Sequence, residues 1–181
     1  MRKKIIAISG MPGAGKGVVS QVGKMLGLDI FVLGDVIREE TERRRLDTTP
    51  ENMGDVMLAV RASEGPAVVA RRLLPKIESA HSSMVIVEGI RSIHELNELK
   101  SKFKVMLVAV YSSPTTRFQR LLSRNRSDDP KDWATFEKRD FRELDVGLGD
   151  VLALADIVLV NEGTTLELQS TFRNALSRLD P

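Results

Sequence analysis

The 181-residue chain contains no cysteine. Disulfides, thiolate metal sites and a cysteine nucleophile are therefore excluded, and the absence fits a reducing, cytoplasmic setting. Histidine is nearly as scarce. His81 and His94 are well separated and lack a metal-ligand spacing, so both read as surface or helix-end residues. Aromatic residues make up only 4% of the chain, which leaves few rings on which bases could stack. The net charge is only +2, so the molecule as a whole is not a polyanion binder, and any attraction to phosphate must come from local clusters. Together these two shortages argue against nucleic acid as a partner. No apolar run approaches membrane-spanning length. The basic head Met1-Arg2-Lys3-Lys4 precedes Ile5-Ile6-Ala7-Ile8, but this apolar part is too short for a secretory signal. What remains is 42% apolar and 29% charged, the make-up of one ordinary globular domain with a real core.

The most informative stretch is Gly10-Met11-Pro12-Gly13-Ala14-Gly15-Lys16-Gly17. An apolar strand-like run, Lys4-Ile5-Ile6-Ala7-Ile8-Ser9, leads into it, and Val18, Val19, Val22, Met25 and Leu26 lead away at helical spacing. Strand, glycine-rich turn and helix form the context of a P-loop. Its glycines let successive N–H groups point into one concavity, and the helix that follows adds free N–H groups and the positive end of its dipole. Lys16 brings a mobile charge to the β- and γ-phosphates of a nucleotide, whose base the loop does not specify. The residue after such a lysine normally carries a hydroxyl for Mg²⁺; here it is Gly17, followed by Val18. Ser20 lies about a turn further up the helix, too far to take its place. Phosphate binding is therefore expected, but direct ligation of Mg²⁺ by the loop is not.

Further along, Asp29 to Leu33, Met84 to Val87, Lys104 to Tyr111 and Ile157 to Val160 read as four more buried strands. Between them lie helical stretches, including Val36 to about Arg45 and a helix from Pro50 to Glu64 with Thr49 as its cap. Others run over Ala67–Ser79, Ser92–Ser101, from Ser113-Pro114 through Arg124, Lys131–Leu144 and Thr165–Leu179, with Gly147 and Gly149 flanking a short turn. Glu39 with Arg43 and Glu40 with Arg44 stand at i,i+4, and Arg43-Arg44-Arg45 reads as a solvated helix end. Near-continuous apolar strands alternating with helices imply an α/β fold, a five-stranded parallel sheet covered on both faces in three layers. Residues 36–80, helix after helix between two strands, read as a helical insertion in a single domain spanning 1–181.

In such a sheet ligands bind beyond the carboxyl ends of the strands. Those ends supply the P-loop, Gly34-Asp35, Glu88 with Arg91, an arginine-bearing helix, and Asn161-Glu162-Gly163. Taken alone, Asp35 is equally well a helix N-cap, whereas glutamate is a poor cap at position 88. Gly34-Asp35-Val36-Ile37-Arg38 resembles the element by which adenylate kinases bind the acceptor nucleotide's phosphate. Glu88-Gly89-Ile90-Arg91 is similar to their Asp-Gly-Phe-Pro-Arg segment. Arg120, Arg124, Arg126 and Asp128-Asp129 look like the edges of a lid reduced to a loop at 125–131, and Arg139 resembles the arginine that follows it. Ala155 to Thr164 looks more like dephospho-coenzyme A kinase, where an aspartate matching Asp35 is implied as the base on an acceptor hydroxyl. The whole chain resembles archaeal proteins described as adenylate-kinase-related.

The resemblance implies phosphoryl transfer from ATP to a small-molecule acceptor, with a nucleoside monophosphate favoured and a dephospho-coenzyme A-like hydroxyl as the alternative. Lys16 and the loop amides would hold the donor, while Arg120, Arg124 and Arg126 close over the transferring group. Arg38, Arg91 and Arg139 would clamp the acceptor, with Asp35 orienting or deprotonating it. Glu88 would hold Mg²⁺ through water. A rival expectation is an ATP-dependent switch with little transfer, which the missing loop hydroxyl favours.

Overall fold

The computed structural model describes residues 2–177; Met1 and 178–181, with the expected end of the last helix at Leu179 and the bounds of the 1–181 domain, lie outside that range. The strands β1 (Lys4–Ser9), β2 (Asp29–Val32), β3 (Met84–Ile90), β4 (Lys104–Tyr111) and β5 (Ile157–Val160) form one parallel sheet in the order β2-β3-β1-β4-β5. The helices among the described residues are α1 (Lys16–Met25), α2 (Leu33–Arg43), α3 (Pro50–Glu64), α4 (Val68–Ser79), α5 (Ile93–Lys102), α6 (Pro114–Arg124), α7 (Trp133–Asp145), α8 (Leu148–Ala153) and α9 (Thr165–Ser177).

The alternation of strand side chains explains why the central strands read as unbroken apolar runs. Ile5, Ala7, Val85, Val87 and Leu107 face a core shared with α2, α3, α4, α5 and α8. Ile6, Ile8, Ile86, Val108 and Val110 face the opposite core, which Val19 and Val22 of α1 and Leu168 and Phe172 of α9 complete. Ile5, Ile6 and Ile8 are all but fully buried, and each such side chain contributes about 1.5–3 kcal/mol. Coverage stops short of the edges. Val158 and Val160 of β5 are 57% and 66% exposed, and β2 is half-buried throughout, so the two outer strands are less enclosed than their composition suggests.

Several boundaries differ from expectation. β2 stops at Val32 and α2 begins at Leu33, placing Gly34 and Asp35 inside the first helical turn. Asp35 is not an N-cap; Val32 holds that position, and Asp35 lies where a carboxylate favours the helix dipole. β3 runs on to Ile90, so Glu88 belongs to the sheet ladder, opposite Ile8 and Val32, and the register slips just beyond it. The turn expected at Gly147–Gly149 is the start of α8, with Gly147 in the left-handed region as its cap. Thr49, Ser92 and Ser113 cap α3, α5 and α6 through their hydroxyls. The Glu39–Arg43 pair is replaced: Arg43 and Arg44 both turn onto buried Glu40, which also receives Arg72, and Glu39 faces Lys76.

Candidate functional site

The loop between β1 and α1 is pinned from behind by strand ends. Asn161 Nδ2 donates to the Ala14 carbonyl at 2.8 Å, and Ser112 Oγ donates to Ala14 and Asn161 carbonyls. Arg117, 3% exposed, donates to the Pro12 carbonyl and pairs with Asp140 at 2.5 Å. Gly13 has φ +82, and a Cβ there would lie 2.6 Å from the Arg117 carbonyl oxygen. Only glycine lets the loop approach α6 this closely. Lys16 Nζ donates to the carbonyls of Gly10 at 2.7 Å and Met11 at 3.2 Å. Burial pushes its ammonium down to about 8, with Glu88 opposing the shift and Arg91 adding to it.

Two cavities meet at this loop. One, of about 310 Å³, lies over Gly15, Gly17, Val18 and Gln21 and reaches Arg120. The other, of about 150 Å³, is walled by Asp35 and Arg38 of α2, Met53 and Met57 of α3, and Arg139 and Arg142 of α7. They share Gly13, Lys16, Glu88, Arg124 and Arg126. Every expected site residue with a charged side chain thus borders one or both. Arg120, however, lines only the first, and its guanidinium is tied to Ser112 Oγ and the Asn161 and Gly163 carbonyls. Arg124 is bound to Asp129. Of the three arginines between 120 and 126, Arg126 alone has no side-chain hydrogen bond or ion pair among the described residues. Glu162, at the end of β5, caps α6 through Ser113 and Thr116 instead of facing the site.

The acceptor-side arginines carry carboxylate partners. Asp128 lies 3.6 Å from Arg38 and 3.7 Å from Arg139, and so joins α2 to α7 across the 125–131 loop. Arg91 Nε is 3.2 Å from Glu143, which is 2% exposed. Burial alone would raise the Glu143 carboxyl, but Arg91, Arg139, Arg142 and Lys16 outweigh it and hold the group below the usual range. Burial lowers the Arg139 guanidinium in turn. Asp35 is exposed and has no side-chain partner among the described residues.

Arg142, Glu143, Met53, Met57 and Ser20 were not read as site residues. The only available signal was that Arg142 and Glu143 stand three and four residues beyond Arg139, within one turn of the same helix. Arg142 donates to the Pro50 carbonyl at 3.3 Å, and its guanidinium rests on Gly54, where any Cβ would overlap it. Gly54→Ala is expected to keep or raise the unfolding midpoint, since alanine is favoured in a helix interior by about 0.5–1 kcal/mol. It should also expel the arginine and weaken inorganic phosphate binding severalfold by calorimetry. Unchanged phosphate affinity would show that Arg142 only packs.

The residues fit a nucleotide's phosphates better than a metal cage. No cluster of three or more metal-ligating side chains occurs among the described residues. Glu88 is the one acidic residue bordering both cavities, and its Oε2 accepts from Ser20 while Oε1 has no hydrogen-bond or ion-pair partner among the described residues. A cation here would be held by phosphate oxygens, water and Glu88.

Residues 9–137 match the family model described as "AAA domain". A UPF0200 protein of Hyperthermus butylicus is 43% identical over 175 residues, covering 97% of this chain and 94% of that protein. One from Pyrococcus furiosus is 43% identical over 180 residues, with 97% of each chain covered. The chain belongs to the UPF0200 family. Among solved structures, TT1252 from Thermus thermophilus aligns with the UPF0200 chain at TM-score 0.64 and 19% identity, covering 100% of both. Shikimate kinase from Acinetobacter baumannii in complex with shikimate aligns at 0.60 and 18%, covering 99% of this chain and 96% of that one. A gluconokinase from Sinorhizobium meliloti aligns at 0.58 and 14%, covering 98% and 93%. The UPF0200 chain therefore has a P-loop kinase-like fold. No helix among its described residues is long and apolar enough to cross a membrane.

Proposed function

We propose that the protein transfers the γ-phosphoryl group of ATP to a small anionic acceptor. The observation that carries this reading is the pair of cavities sharing Lys16, Glu88, Arg124 and Arg126. Phosphoryl transfer requires two ligands in line with positive charge at the point of exchange, and little covalent chemistry from the protein. The P-loop amides and Lys16 hold the donor's β- and γ-phosphates. Arg124 and Arg126 lie where charge is exchanged, and the 125–131 loop acts as the lid that excludes water. Mg²⁺, when bound with ATP, neutralises charge on the phosphate oxygens. Glu88 would hold it through water.

A nucleoside monophosphate is the first reading of the acceptor. Arg38 and Arg91 border the smaller cavity together with Arg139 and Arg142, an anion-binding wall of planar, multidentate donors. The helices of residues 36–80 then form the acceptor-binding insertion. A hydroxyl acceptor is the second reading, favoured by the carboxylate of Asp35, which has no side-chain partner among the described residues, and by the modest volume of about 150 Å³. The shikimate kinase neighbour was solved with shikimate, a small hydroxy acid.

Labelled ATP offered with pooled nucleoside monophosphates, and separately with dephospho-coenzyme A and small hydroxy acids, separates the readings. With a phosphate acceptor, Arg38→Ala and Arg91→Ala each raise the acceptor KM about tenfold or more, and Asp35→Asn keeps much of the rate. An inactive Asp35→Asn with active arginine variants transfers the assignment to a hydroxyl acceptor. Tight ATP binding with no turnover in either pool overturns transfer and favours an ATP-dependent switch.

A further inference from the structure

Gly17 occupies the position of the absent P-loop hydroxyl, and a Cβ built there meets nothing within 4 Å. The space that such a side chain would fill is open to the larger cavity. One turn along α1, Ser20 is 6% exposed, borders neither cavity, and donates its hydroxyl to Glu88 Oε2 at 2.5 Å. Four residues separate it from Lys16, so the two side chains share a face of the helix. A rise of about 1.5 Å per residue carries Ser20 about 4.5 Å past Gly17, behind the loop and out of reach of a ligand.

The default for a hydroxyl inside a helix is the carbonyl one turn back. Thr41, Ser63 and Thr171 all make that bond, to Ile37, Ala59 and Glu167. Ser20 instead reaches a carboxylate on β3, 68 residues away in sequence. Glu88 needs such an anchor. Its charge acts on both Lys16 and Arg124, and a carboxylate free to turn would swing onto either cation.

We propose that Ser20 is a positioning residue that does through Glu88 what the missing loop hydroxyl would do directly. By holding Oε2 it fixes the carboxylate, so that Oε1 would be left to accept from water on the donor's Mg²⁺. Fixing an outer partner in this way is worth about 10- to 100-fold in metal affinity. The inference rests on the reading of the larger cavity as a Mg·ATP site.

The test is calorimetric titration of ATP with and without Mg²⁺. Ser20→Ala is expected to lower the Mg²⁺-dependent gain in ATP affinity about tenfold and to leave metal-free ATP affinity unchanged. The unchanged metal-free value also shows that the variant is folded. Adding Gly17→Ser in that background should restore the gain, because the hydroxyl then stands at the phosphates in open space. Glu88→Gln, which removes the charge at the anchored position, should abolish the gain, and does not depend on Ser20→Ala folding. A parent that responds to Mg²⁺ and a Ser20→Ala variant that responds equally would overturn the inference while leaving the donor site intact. The same holds if Glu88→Gln retains the parent's full response. A parent whose ATP affinity ignores Mg²⁺ would overturn the Mg·ATP reading and this inference with it.

Discussion

Lys16→Ala is expected to lower ATP affinity about 100-fold while making the ligand-free protein more stable. The two effects share one cause. In the free protein the half-buried Lys16 donates to the carbonyls of Gly10 and Met11, and burial holds its ammonium down to about 8. A lysine with a depressed folded-state value penalises folding wherever it must stay charged, on the order of 3 kcal/mol here. The penalty is full below about pH 8 and fades as pH rises from there towards the value of an unfolded lysine. Alanine removes it, so the variant's higher melting temperature should be seen at pH 7 and vanish in strong alkali. The polyphosphate reverses the balance by supplying an anion to the buried charge. ATP binding at pH 9 should therefore take up a proton at Lys16, visible as a buffer-dependent binding enthalpy, and this uptake should be absent in Lys16→Ala. Equal ATP affinity in parent and variant would remove the donor site from this loop.

Glu143→Gln has the largest expected effect on the fold. It leaves Arg91 without its ion-pair carboxylate and takes a nearby negative charge from Arg139, which keeps Asp128 and Asp129, and breaking a buried pair from one side costs about 3–5 kcal/mol. In a domain of this length that corresponds to a melting temperature lower by about 10 °C. Because the Glu143 carboxyl is held below the usual range, its contribution is present at neutral pH and is lost as pH falls through that lowered value, so parent and variant should converge in acid. Inorganic phosphate should restore stability more in the variant than in the parent, since it replaces the missing charge beside Arg91. An unchanged melting temperature would mean that Asp128 and Asp129 suffice to balance the arginines.

The legible parts of this molecule are those written in contiguous residues. The P-loop lies within eight positions, the strands are short apolar runs, and the caps at Thr49 and Ser113 are local hydroxyls. The three-layer parallel sheet follows from these. The illegible parts depend on how distant elements meet. Arg142 became part of the site because Gly54 of α3 lets it lie flat, a contact between residues far apart in sequence. Ser20 was read as too distant, since its relevant neighbour is on β3 and not in the loop. Arg120 was grouped with Arg124 and Arg126 by resemblance to the edges of a lid, whereas the close of β5 against α6 ties it to Asn161 and Gly163. The short α8 escaped because glycines at 147 and 149 argue for a turn, although Gly147 is a helix cap.

The strand order also governs when the site can come into being. β1 is made first, yet it is the middle strand, and both its partners come from residues 84–90 and 104–111. At a synthesis rate of about 5–20 residues per second, this apolar segment of the nascent chain waits about 4 to 16 s for its first neighbour. During that interval the three helices between β2 and β3 can form from local contacts alone, while β1 stays a bare edge on both sides. The phosphate loop inherits the delay, because Ala14 is fastened by Ser112 and Asn161 and Pro12 by Arg117, all of them from the second half of the chain. A nascent chain therefore carries the complete phosphate-binding motif long before it has anything rigid enough to hold a phosphate.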